Sequence, residues 1–349
     1  MTDRRVILYG YRESPFYRKA QVLLAHYGVP YDTVKTAMMP PRPMLSDELG
    51  ITYRRIPVLA LDGELYIDTS AIARKLEETF GAGRDASLLT VHAELQRRLV
   101  LHWSDNVLFG LAASLISAKA VTPEFIKDRQ SFNNGRPTIG RADPVQVHAS
   151  LAASLHSLDA ALAQSSTGWT MGTRTPQYVD LGIYFILDYV QTGQRSAPDL
   201  LPLPGKSGAS PPLFPNVLKW LDAARQHLKQ RTAALPAPRE LNPTDAARHI
   251  TATGARAAEA AGRAQQAVSR DDPLVKAGRL AFGDDVLVAP TDAGKVPQKG
   301  TLCALSPTGI SILVEAGPNS GRKHVLTHFP RTNFGVVRTA DVPPPSSKL

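Results

Sequence analysis

The sequence predicts a chain of three folded parts. These are a mixed α/β domain over residues 1–84, an all-α domain over 85–235 and a small all-β module over 273–345, with a linker or helix at 236–272. Three observations predict this division. Before residue 84, short apolar runs alternate with helical patterns in the order β-α-β, then β-β-α. Between residues 88 and 232, apolar residues recur at helical spacing. From about residue 273 the pattern changes to short strands broken by Gly, Pro and Asp.

Val6–Tyr9 reads as a buried strand, followed by a turn from Gly10 to Ser14. Pro15 suits the first position of a helix, where its missing N–H is not needed. The helix runs through Ala20, Val22, Leu23 and Leu24 to Tyr27 and closes at Gly28. Val29–Lys35 is expected to be a second strand, and residues 36–50, rich in Pro and Met, a loop. Ile56–Leu61 is the third strand, Asp62-Gly63 a hairpin turn, and Glu64–Ile67 the returning strand. Asp68, Thr69 and Ser70 open a helix that runs to Phe80 and ends at Gly81, giving a mixed four-stranded sheet covered by helices.

In the middle part, helical spacing links Leu95, Leu99, Trp103 and Val107, then Val147 to Leu162, then Leu181 to Leu187. A last helix runs from Pro215 to about Arg231. Residues 196–215 are a Pro/Gly/Ser loop, 233–243 a Pro-rich boundary, and 244–269 a weakly amphipathic helix or linker. Strands are expected at Asp285–Ala289, Gly300–Leu305, Ile310–Glu315 and Asn333–Arg338, a number and length that fit a small SH3-like barrel. The tail after Asp341 reads as loose.

Composition narrows the chemistry. The chain has 349 residues and a net charge of +9, but no block of five Lys or Arg. A generally cationic surface is expected rather than a nucleic-acid groove. A single cysteine, Cys303, rules out an internal disulfide, a CxxC redox pair and a cysteine zinc site. The nine histidines show no metal-ligand spacing, so no metal is expected. The N-terminus lacks a long apolar segment and the longest weakly polar stretch, Val107–Ala118, is too short to span a bilayer, so a cytoplasmic protein is expected.

Two stretches resemble the N-terminal half of glutathione transferases. One is Ser14 to Lys19, between the first strand and first helix; the other is Arg55-Ile56-Pro57-Val58-Leu59 followed by Asp68-Thr69-Ser70-Ala71-Ile72. The middle part adds Gly168, Trp169 and Gly172 ahead of Asp180–Tyr184, similar to the run before that family's core helix. Trp103-Ser104-Asp105 and the long 120–145 segment look like fungal members. The resemblance covers residues 4 to about 232 and leaves the C-terminal segment as an unrelated extension. It implies a thioredoxin-like first domain, a helical acceptor-site domain, glutathione as co-substrate and a homodimer. It further implies a cis Pro57, a backbone contact from Ile56 to the glutathione cysteine, and binding of the γ-glutamyl end by Asp68 and Thr69. The sequence departs from the family at Gln177, where a hydroxyl is usual, at Asp68 for Glu, and at Phe16 for Asn or a small residue.

Glutathione is useful as a nucleophile only as thiolate, and a thiol of pKa near ~8.5 is mostly protonated at neutral pH. Lowering it by ~2 units takes about 2.7 kcal/mol of preferential stabilisation of the anion. A hydroxyl donor at a helix N-terminus can supply this, and Ser14 stands there, although a serine before a helix is also an ordinary cap. Tyr11, in the turn, is the rival donor; Tyr9 reads as core. Arg55 is either a ligand for a glutathione carboxylate or a surface arginine. Tyr11, Phe16, Trp103 and Asp105 are candidates for the acceptor site. Two functions remain open. One is a transferase attacking a hydrophobic electrophile by conjugation, isomerisation or dehalogenation, in detoxification or secondary metabolism. The other is a non-catalytic binding or assembly protein using its β module. The lack of a cysteine near residue 14 argues against glutaredoxin-like thiol exchange, which needs a cysteine nucleophile.

Overall fold

The computed structural model describes residues 5–81, 95, 98–99, 101–137, 139–140, 142–194, 196–205, 211–253, 268–317 and 324–342. Most of the helical pattern expected through Leu95 and Leu99, residues 254–267 of the expected linker helix, and the tail after 342 lie outside these residues.

The contacts divide the chain into two compact units. The first gathers Met1–Ser14, Pro30–Lys75 and Ala237–Leu349; the second gathers Pro15–Val29 and Leu76–Pro236. In the first unit lie strands β1 (Val6–Gly10), β2 (Asp32–Lys35), β3 (Val58–Leu61) and β4 (Glu64–Ile67), with helix α2 (Pro43–Leu49). Helix α1 (Pro15–Tyr27) belongs to the second, and α3 (Thr69–Phe80) runs from one into the other. Helix α1 ends as expected at Gly28, which adopts φ 60°, while the Val29 N–H closes back on the Leu24 carbonyl at 2.9 Å.

Helix α2 replaces the loop expected over 36–50. Pro43 starts it, Gly50 ends it in the left-handed conformation at φ 69°, and Leu45 and Leu49 bury one face. Three prolines just ahead of so short an apolar pair mask its helical period.

The larger correction concerns the C-terminal strands β5 (Asp285–Pro290), β6 (Gln298–Leu305), β7 (Gly309–Glu315), β8 (His324–Pro330) and β9 (Phe334–Arg338). Among the described residues they pair antiparallel in the order β8-β7-β6-β5-β9, and no ladder closes them into a ring. Strand β8, absent from the sequence expectation, pairs in parallel with β4 through Leu65↔Thr327 and Tyr66↔His328. Among the described residues the strands therefore make one sheet in the order β2-β1-β3-β4-β8-β7-β6-β5-β9. A two-stranded hairpin end such as β4 would otherwise leave a row of unpaired backbone groups, and β8 covers it. One apolar core follows this sheet, from Ile7, Val58 and Leu65 to Val286, Ile312 and Phe329. Helix α9 (Pro243–Thr253) joins it with Ala246, Ala247 and Ile250. The small residue Cys303 is buried on β6 and behaves as a hydrophobe.

The second unit is all-helical. A π-helical stretch, Leu101–Leu108, leads into α4 (Phe109–Ser114), then come α5 (Pro123–Phe132), α6 (Pro144–Ala163), α7 (Tyr178–Asp188) and α8 (Pro215–Thr232). Its core is built from Leu151, Leu155, Phe185, Leu187, Val217 and Trp220 among others. The start of α7 is held despite Gln177. The fully buried Asp180 carboxylate accepts the Gln177 N–H, the Thr170 N–H and hydroxyl, and the Trp220 indole N–H, each at 2.9–3.0 Å. Four donors on one carboxylate compensate its desolvation.

Candidate functional site

Strand register brings the sequence-predicted residues together. Tyr9 on β1 pairs with Val58 on β3, and Val58 pairs with Ile67 on β4. One step beyond this row on each strand lie Gly10, Pro57 and Asp68. The turn that carries Tyr11 and Ser14, the Ile56–Pro57 bond and the Asp68–Thr69 pair therefore emerge at one end of three adjacent strands. The Ile56–Pro57 bond is cis.

Ser14 is 5% exposed, and its N–H closes a turn on the Tyr11 carbonyl at 3.1 Å, immediately before α1. Tyr9 is fully buried in the core, where desolvation, with the Glu48 carboxylate adding to it, pushes its phenol well above the ordinary value. That leaves it a core residue, as its strand position implied. Asp68 adopts φ 75°, a conformation side chains rarely take and which Asp tolerates better than most residues. Its carboxylate accepts the Ser70 N–H at 2.9 Å and its carbonyl the Ile72 N–H, so it caps α3. Thr69 beside it is buried. A strained non-glycine residue at a helix start, with helical N–H groups opening past it, is the local form an anion-binding end takes.

The segment leading into Pro57 is held by Arg42 just before it and by residues far away in sequence. The buried Arg42 guanidinium donates to the carbonyls of Ala37, Met38 and Arg54. The Gln298 side chain accepts the Thr52 N–H at 2.8 Å and donates to the Gly50 carbonyl at 3.0 Å. Arg55 donates to the Asp292 carboxylate and the Ala293 carbonyl. Burial opposes the Arg55 charge, but Tyr53, Asp292 and Asp68 together favour it and hold its pKa above the ordinary value. Sequence reading missed Arg42, Asp292 and Gln298. Gln298 lies 246 positions from Thr52, and no local pattern links them.

The remaining candidates belong to the helical unit or its neighbourhood. Phe16 stands edge-on to Phe109, ring centres 4.8 Å apart, and 5.7 Å from Phe185. Trp103 packs against the helical core. Asp105 accepts a 2.6 Å bond from Lys19, which is 1% exposed and lies over the rings of Tyr178 and Phe185. A carboxylate committed to a buried ammonium neutralises that charge, which would otherwise be costly. Among the described residues no group of His, Cys, Asp and Glu could hold a metal, and no helix is long and apolar enough to cross a membrane.

Residues 8–84 match the family model for the glutathione S-transferase N-terminal domain. A curated relative, prostaglandin E synthase 2 of Danio rerio, is 26% identical over 93 residues, covering 26% of this chain and 23% of its own length. The chain thus spans about a quarter of that relative. A GST-like protein from Pseudomonas syringae superposes with a TM-score of 0.65 at 22% identity, over 96% of this chain and 99% of its own. Poplar glutathione transferase F1 superposes with a TM-score of 0.47 at 13% identity, over 66% of this chain and 99% of its own. The resemblance read from the sequence stopped near residue 232, whereas the Pseudomonas superposition includes the C-terminal strands in the shared fold. The family model thus covers residues 8–84, and the superposition shows a shared fold, a thioredoxin-like domain with helices, along nearly the whole chain.

Proposed function

We propose that the chain binds glutathione at the Gly10–Pro57–Asp68 end of its sheet and activates the thiol for attack on a hydrophobic electrophile. The observation that carries this is the convergence of Ser14, Ile56–Pro57 and Asp68–Thr69 through one register row. In this reading the Ile56 backbone meets the cysteine of glutathione as a neighbouring strand would. Asp68 and Thr69, at the start of α3, bind the γ-glutamyl end. The Ser14 hydroxyl donates to the thiolate, with the start of α1 adding its dipole. Arg55 borders the site with its guanidinium on Asp292, offering charge rather than a free fork to a ligand carboxylate. Tyr11, Phe16 and Trp103 are assigned to the acceptor side, and Asp105 to holding Lys19.

The substrate class is a small apolar electrophile, and the assembly a homodimer in the cytoplasm. A scattering mass near the monomer's 37.7 kDa would count against the dimer. The test of the whole reading is calorimetric titration with glutathione followed by a conjugation assay on a standard aromatic electrophile. Binding with turnover is expected; absence of binding at millimolar glutathione would overturn it. A second reading, a non-catalytic binding or assembly protein using the C-terminal β module, is motivated by the bonds that tie Asp292 and Gln298 of that module to the segment before Pro57, and binding without turnover would select it.

A further inference from the structure

A second cluster with the order of a catalytic chain lies where the N-terminal and C-terminal strands of the sheet meet. Ser311 on β7 pairs across the ladder with His328 on β8, and His328 with Tyr66 on β4, so their side chains share one face. The Ser311 hydroxyl lies 2.8 Å from His328 Nδ1, and His328 Nε2 lies 3.2 Å from Glu64 Oε2. The same Glu64 oxygen accepts the Tyr66 hydroxyl at 2.5 Å, and the Tyr66 ring stacks on the imidazole at 4.7 Å and 13°. The chain is directional. Burial opposes the Glu64 charge, but the bonds from His328 and Tyr66, with the nearby Lys75 ammonium, bring its pKa down to about 2. An ionised carboxylate only accepts, so in the neutral imidazole Nε2 carries the proton and Nδ1 accepts from Ser311. His328 and Glu64 remain 23% and 20% exposed, desolvated but within reach of a reagent.

We propose that Ser311, His328 and Glu64 act as nucleophile, base and orienting acid of an acyl-transfer site distinct from the Pro57 row, with esters of small acids as the substrate class. Ser311 Oγ bonds to the ester carbonyl carbon and its proton passes to His328 Nδ1. The intermediate collapses by breaking the bond to the alcohol oxygen, which leaves with that proton. Water then attacks the acyl-serine by the same route, releasing the acid and restoring Ser311. Tyr66 acts as a positioning residue, holding the imidazole plane and the Glu64 oxygen.

The test uses the full chain and a fluorophosphonate probe, whose fluoride leaves as the serine–phosphorus bond forms. Expected is a label located by peptide mass spectrometry at Ser311, absent in Ser311→Ala, with the labelling rate falling about 10²-fold in His328→Gln and less in Glu64→Gln. No label at Ser311 above that on other serines would overturn the proposal. So would a rate unchanged by His328→Gln in a variant whose melting temperature shows it is folded. Should His328→Gln fail to fold, the unsubstituted protein decides: rapid label at Ser311 supports the site, and its absence sinks it.

Discussion

At the scale of single residues, Ser14 and His227 make the sharpest demands. If Ser14 donates to a developing thiolate, Ser14→Ala removes one donor from an anion. Turnover should fall about 10²–10³-fold, and the apparent pKa of bound glutathione, read from thiolate absorbance against pH, should rise. An unchanged rate and pKa would move the role to Tyr11. In the helical unit, His26 Nδ1 and His227 Nε2 lie 3.2 Å apart. Burial, and then the Arg231 charge, hold His227 below its ordinary value of 6.5. The folded state thus resists a proton that the unfolded chain accepts. Stability from this group is whole above about pH 6.5 and falls as pH drops through the folded pKa. Melting temperatures from about pH 8 to about pH 5 should show this decline, and His227→Gln should flatten it.

At the scale of elements, the tight contact is between the end of α2 and the end of β7. A Cβ at Gly50 would lie 1.9 Å from the Glu315 carbonyl oxygen, and one at Gly317 would lie 1.5 Å from that of Asp47. Both neighbours are backbone and cannot swing aside. Gly50→Ala also meets a positive φ, so it should cost about 2–3 kcal/mol or more. Gly50 begins the segment that Gln298 holds ahead of Pro57. Glutathione affinity, measured by calorimetry on folded protein, should therefore fall together with the melting temperature. An Ala variant that melts and binds like the parent would show that the two segments part easily.

At the scale of the whole molecule, the C-terminal segment is structural to the first unit. Truncation after Ala237 removes Ile250, Val286, Leu302, Ile312, Val314 and Phe329 from the core and uncovers β4. Burying each such side chain contributes about 1.5–3 kcal/mol, so the loss is on the order of 10 kcal/mol, comparable to the entire stability of a domain. The truncated chain should show no cooperative thermal transition by circular dichroism in its N-terminal domain. A shortened protein that kept its melting temperature would refute the shared core. The C-terminal segment can therefore be essential to the thiol site while lending it no ligand, because it fixes the backbone that approaches Pro57.

Local chemistry made much of this legible in advance. Pro15 and Gly28 bound α1, the Asp62-Gly63 turn sets the β3–β4 hairpin, and helical periodicity marks α6, α7 and α8, because caps, turns and amphipathic spacing act within a few residues. The residues proposed for the thiol site stood out for the same reason: Ser14, Pro57 and Asp68 each sit at the end of an element with a readable boundary. What local signals could not carry was pairing at long range. Nothing near Leu65 announces Thr327, nothing near Thr52 announces Gln298, and nothing near Glu64 announces His328 and Ser311. The sequence by itself determined the two secondary-structure regimes and the short motifs of the proposed thiol site. Only the tertiary structure decided that the last strands extend the first sheet, because an edge strand accepts a partner by backbone hydrogen bonds that any sequence can supply.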